Sequence, residues 1–136
     1  MCAIFGFIRA KNQTGPAPLK ALVEVIAANV KRGPHAFGLA WVTKSGRLRS
    51  YRQAGKLTDH IGLLTMARDA RMLIGHLRWA THGSPDENIN NHPHPCDGGW
   101  LVHNGVVSNY DELVTEKGLY LSSECDSEAV AQLMER

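Results

Sequence analysis

The second residue of the chain is a cysteine, in Met1-Cys2-Ala3-Ile4-Phe5-Gly6. Removal of Met1 puts a thiol and a free α-amine on that one residue. A free thiol titrates at about 8.5 and an α-amine at about 7.7 to 8.0, so near neutral pH the amine can accept and return the proton that the sulfur must lose. This is a nucleophile carrying its own base, a known route to covalent catalysis. With Met1 retained, the amine belongs to Met1 and Cys2 has no built-in base. Read without its context, Cys2 is simply a small apolar residue.

Four further segments hold side chains of chemical interest: Arg32-Gly33-Pro34, Gly75-His76-Leu77-Arg78-Trp79-Ala80-Thr81-His82-Gly83, His103-Asn104-Gly105 and Ser123-Glu124-Cys125-Asp126-Ser127-Glu128. Each has a plain structural reading, with Arg78 in a surface ion pair, Asn104-Gly105 in a tight turn and Asp126 as a helix cap. Together they offer more. A covalent thiol mechanism at a carbonyl needs donors aimed at the developing oxyanion. A guanidinium holds a carboxylate through two parallel hydrogen bonds, which lysine cannot imitate.

In this order and spacing, and with Asn90-Asn91-His92-Pro93-His94 and the run from Asn104 to Leu113, these blocks closely resemble the glutaminase domain of the class II glutamine amidotransferases. The similarity runs from Cys2 to the last helix. It implies an N-terminal-nucleophile enzyme that hydrolyses glutamine to glutamate and ammonia through a Cys2 γ-glutamyl thioester, without a cofactor, the ammonia passing to an acceptor or to a synthase partner subunit. Cys2, Asn104 through its side-chain amide and Gly105 through its backbone N–H would be catalytic. Arg78 and Asp126 would hold the α-carboxylate and α-ammonium, with Trp79 and Thr81 shaping the pocket. Arg32, His82 and His92 would be structural residues near the site. The implied fold is α+β, an αββα sandwich of antiparallel sheets covered by helices, short of peripheral C-terminal elements.

Three positions depart from the resembled pattern. Ala3 stands in place of glycine, His35 in place of aspartate after Arg-Gly-Pro, and Cys125 where threonine is common. The resembled domains also continue well beyond the equivalent of Arg136, so 1–136 is expected to be an incomplete glutaminase-type domain without an acceptor-binding half.

Two rival readings come from other classes. One is a non-catalytic glutamine-binding or regulatory module that keeps Arg78 and Asp126 but not turnover. The other is a zinc site made from His92, His94 and Cys96 with His76, His82 and His103, since His and Cys are zinc ligands. Two side chains one residue apart in a Pro-flanked loop are weak spacing evidence, and the resembled family uses no metal there. The expectation is therefore no metal, with Cys96 and Cys125 as ordinary small residues.

The elements that must position these residues follow from periodicity. Cys2 to Ile8 is an apolar run that reads as a strand exposed on neither face. Leu19, Leu22, Val23, Ile26, Ala27 and Val30 recur at helical steps, and Gly33-Pro34 stops that helix. Phe37–Thr43 and Arg47–Gln53 form a hairpin about Lys44-Ser45-Gly46. A short helix follows Thr58, and Met72–Arg78 is a central strand. Trp79 to Gly98 is a long loop rich in Gly, Pro, Asn and His. Gly99–His103 is a strand running into Asn104-Gly105. Ser108 and Asp111 cap a helix over Asn109–Lys117 that Gly118 ends. A last helix, capped by Asp126, runs through Ala129, Val130, Leu133 and Met134, its apolar pattern still unbroken at Arg136.

Bulk properties narrow the class. The 136 residues, 43% hydrophobic, suit one domain with one core. The formal charge of +2 is spread without a basic block, so neither nucleic acid nor a lipid surface is expected as partner. An odd count of 3 cysteines without paired spacing favours a reducing compartment, and the expected location is cytoplasmic. No apolar run is long enough for a membrane span.

Overall fold

The structure is a computed structural model that describes residues 1–134. Six strands and three helices follow in the order β1 (Ala3–Ile8), α1 (Leu19–Asn29), β2 (Ala36–Thr43), β3 (Leu48–Ala54), β4 (Ala70–Arg78), β5 (His94–Cys96), β6 (Gly99–Leu101), α2 (Tyr110–Lys117) and α3 (Asp126–Leu133). A four-stranded antiparallel sheet has the order β1-β4-β2-β3, and β5 and β6 form a separate two-stranded ribbon. The class is α+β with antiparallel sheets, as expected.

The period-2 geometry of strands sorts the sheet's side chains. On one face Ala3, Phe5, Phe37, Leu39, Trp41, Leu73 and Leu77 are buried with Leu22 and Ile26 of α1 and with Leu57, Leu64 and Ala67. The last three belong to the segment Leu57–Ala67, which is 3-10 helical and kinked at His60, where a short helix is expected after Thr58. Residues 89–94 lie across the other face, over β2. Gly38 permits this, since a Cβ there would fall 1.8 Å from the His92 carbonyl oxygen. Behind the ribbon, α3 packs on β5.

Several expectations are corrected. β1 alternates buried and open positions, with Ile4 48% and Ile8 79% exposed, because the second layer covers only part of that face. Helix α1 stops at Asn29, and Val30–Arg32 is a 3-10 turn. β4 begins at Ala70, two residues earlier than expected, and β6 stops at Leu101, so Asn104-Gly105 lies in a loop and not in a hairpin turn. The long loop contains β5, which its proline masked. Asn109, not Ser108, is the residue that caps α2, and it makes no side-chain cap bond. Asp126 is the first residue of α3, following Cys125 at the cap position, so its carboxylate is free to reach elsewhere. The hairpin about Lys44-Ser45-Gly46 and the left-handed Gly118 at the end of α2 are as expected, Gly118 accommodating φ 57°. Residues 135 and 136, where the pattern of the last helix runs on, lie outside the described residues.

Candidate active site

Antiparallel register brings the chemical residues to one end of the sheet. Ala3 pairs with Leu77 and Ala36 with Arg78, so Cys2 arrives beside Arg78 from one side and His35 from the other. The backbone N–H of His35 donates to the Arg78 carbonyl at 3.1 Å. The chain leaves β4 at Trp79, whose N–H donates to Cys2 Sγ at 3.2 Å and whose carbonyl accepts from the same thiol at 3.6 Å.

Two donors converge on the Cys2 carbonyl: Arg32 Nε at 3.3 Å and Asn104 Nδ2 at 3.2 Å. Arg32 reaches it because Gly33 packs directly on β4, where a Cβ would lie 2.2 Å from the Leu77 carbonyl. Gly105 is exposed beside the ring of His103, and His103 Nδ1 is 3.0 Å from Ser127 Oγ at the start of α3. The structure thus brings Cys2, Arg32, Trp79 and Asn104 into one constellation.

Arg78 is 3% exposed. Its Nη1 donates to Asn91 Oδ1 at 2.8 Å, and its Nη2 donates to the carbonyls of His82 and, at 3.2 Å, Gly83. Burial lowers the guanidinium from its ordinary pKa, opposed by the acidic side chains Cys125, Cys2 and Asp126 nearby. Asp126 is equally buried, and its Oδ2 accepts from the Val107 N–H at 2.5 Å. Arg78 therefore stands beside Cys2 in the sheet, folded onto its own 82–83 loop, and Asp126 lies within electrostatic reach of Arg78.

Trp79 is half exposed and Thr81 exposed, with Thr81 Oγ1 3.3 Å from His82 Nδ1. The His82 ring meets the edge of Tyr110, which suits a structural residue. Sequence reasoning left His35 without a consequence. Its Nδ1 accepts from the Ala80 N–H at 3.1 Å and its ring lies 4.8 Å from that of Trp79, so it fixes the segment that contacts Cys2.

Behind Arg78 lies a buried set of imidazoles. His92 is 4.2 Å from His76 and 4.9 Å from His94, ring to ring. Burial pushes His76 and His94 down to about 4 and His92 lower still, so all three are neutral near pH 7. The thiol that lies with His92 and His94 is Cys125, and not the Cys96 of the rival zinc reading: one donor atom of each of the three falls within 4.8 Å of the others. Burial raises the Cys125 thiol. The spacing signal pointed to Cys96 because it is near in sequence, whereas the contact with Cys125 is made by the packing of α3 on β5.

With this geometry, the sequence comparisons define the class: the chain is a homologue of the class II glutamine amidotransferases, a family of enzymes. It is similar to glutamine–fructose-6-phosphate aminotransferase (isomerizing) of Aeropyrum pernix, 40% identical over 143 residues that take in 99% of this chain and 22% of that protein. The enzymes of the same name from Gluconobacter oxydans and Mesorhizobium japonicum are each 39% identical, over 99% and 100% of this chain and 22% of theirs. The chain spans about a fifth of the length of the curated relatives it matches. No family model matches it. Among the described residues, no helix is long and apolar enough to cross a membrane.

Proposed function

We propose that this chain is a glutaminase-type domain of the N-terminal-nucleophile kind, hydrolysing glutamine to glutamate and ammonia through a γ-glutamyl thioester on Cys2. The observation that carries the reading is the meeting of the Trp79 N–H, the Asn104 amide and the Arg32 guanidinium on the two ends of Cys2, at the sheet end that also bears Arg78.

Removal of Met1 turns the Cys2 nitrogen into an amine. That amine takes the thiol proton, and Sγ attacks the side-chain carbonyl carbon of glutamine. The oxygen gains the charge, and Asn104 Nδ2 with the Gly105 N–H receives it. The amine returns its proton to the amide nitrogen, ammonia leaves, and the thioester forms. Water, deprotonated by the same amine, then attacks the thioester, and glutamate departs as the thiol is restored. Arg78 and Asp126 hold the two charged ends of the substrate; for Arg78 this requires the substrate carboxylate to replace the carbonyls of His82 and Gly83. Trp79 and Thr81 wall the pocket, while Arg32, His82 and His92 support it.

The layering of α1, the four-stranded sheet, the ribbon with its flanking loop, and α3 supports an αββα arrangement of the described residues. The ammonia would serve a synthase partner or an acceptor-binding region, in a reducing compartment such as the cytoplasm. Glutamate release from glutamine by the Met1-processed protein tests the reading, with Cys2→Ala expected to abolish turnover. Glutamine binding without turnover by a Met1-processed wild type would instead establish the regulatory-module reading.

A further inference from the structure

The cluster of His92, His94 and Cys125 takes no chemical step in the proposed hydrolysis, in which His92 only supports the pocket. His92 is 5% exposed, His94 1% and Cys125 3%. Both nitrogens of His92 and Nε2 of His94 are buried without a hydrogen-bond partner among the described residues. A buried polar atom left unsatisfied is costly, so three in one cluster call for an explanation. The donors are of the kind that soft and borderline divalent ions take, neutral imidazole and thiol, and they come from two separate parts of the chain that converge.

We propose that His92, His94 and Cys125 form a buried binding site for zinc or an ion of similar preference. In a tetrahedral zinc site with bonds of about 2.0–2.1 Å to nitrogen and 2.3 Å to sulfur, ligand atoms lie about 3.3–3.7 Å apart. The three atoms here lie within 4.8 Å of one another, so loading draws them together by about 1 Å. His76, in ring contact with His92, is the nearest further imidazole for the fourth position. Cys125 sits at the cap position of α3 with its Sγ 3.8 Å from Asp126 Oδ1, and binding releases its thiol proton. The site lies one residue from Asp126 but does not depend on the glutaminase reading. Either can fail without the other.

The experiment is a titration of the whole chain, stripped by chelator, with Co²⁺. The expected result is one equivalent bound, with a thiolate-to-cobalt charge-transfer band and the visible spectrum of a tetrahedral site, both displaced by Zn²⁺. The double variant Cys2→Ala/Cys96→Ala replaces two half-buried residues and leaves Cys125 as the sole thiol. Retention of the band there supports the site, and its absence overturns it. Cys125→Thr should abolish the band, and His94→Gln should weaken Co²⁺ binding at least tenfold. Persistence of the band in folded Cys125→Thr overturns the proposal; should that variant fail to fold, the double variant decides.

Discussion

The backbone N–H of Trp79 donates to Cys2 Sγ across 3.2 Å, joining the residue that follows one strand to the residue that precedes another. A neutral sulfur is a weak acceptor and a thiolate a strong one, so this donor, like the cation of Arg32 on the adjacent carbonyl, gains strength as the nucleophile ionises. The contact exists only because residues 79 and 80 are held in place, and His35 is what holds them.

His35→Ala removes the acceptor for the Ala80 N–H and the ring beside Trp79. The expected result is a fall of roughly tenfold in kcat on glutamine, set by positioning, with a stability loss of only about 0.5–1.5 kcal/mol. His35→Asn, which offers a carbonyl oxygen near the same place, should recover part of kcat. Steady-state kinetics with thermal melts of the same samples would check this, and an unchanged kcat in His35→Ala would remove His35 from the account.

Asn91→Ala strips the buried Arg78 guanidinium of its 2.8 Å partner and also leaves the Pro85 carbonyl without its donor. Losing a bond to a buried charge costs about 1.5–3 kcal/mol, or roughly 5–12 °C in Tm for a chain of this size. KM for glutamine should rise more than kcat falls, because the guanidinium is displaced from the site of the carboxylate and not from the sulfur. Melting curves and kinetics read the two effects separately.

Glu128 gives a pH-dependent outcome. Burial would raise its carboxyl, but the Ser123 hydroxyl and the N–H groups of Ser122 and Ser123 outweigh this and hold it below the ordinary range. The two N–H bonds are 2.9 Å and 2.7 Å. A folded pKa below the unfolded one means that the unfolded chain binds more protons. The contribution is therefore complete above the unfolded value of about 4.3 and is lost as pH falls through the lower folded value. Glu128→Gln should cost about 1–3 kcal/mol at neutral pH, and the gap to the wild type should close in the acid range. A gap that stays constant from neutral to strongly acidic pH in denaturant melts would contradict this.

Local signals carried much of this structure. The hairpin about Gly46, the helix over 19–29 and the stop at Gly118 follow from turn chemistry and apolar spacing, which act between near neighbours. Non-local consequences did not show. Ile4 and Ile8 sit in a continuous apolar run, yet one face of β1 is open because coverage depends on what packs from afar. A strand of three residues built around Pro95 has no periodicity to read. Asp126 carries the signature of a cap, but the chain places Cys125 at the cap and turns the carboxylate to Val107. The segments around Cys2, Arg78, Asn104 and Asp126 were legible as blocks, while the placement of His35 and Cys125 emerged only from packing.

The most direct measurement of the central claim is mass spectrometry of the Met1-processed protein, acid-quenched during turnover of glutamine. The account predicts a γ-glutamyl adduct on the N-terminal peptide, located at Cys2, that disappears when glutamine is exhausted and never forms in Cys2→Ala. Glutamate release by Cys2→Ala at the wild-type rate, or an adduct mapped to Cys96 or Cys125, would contradict it.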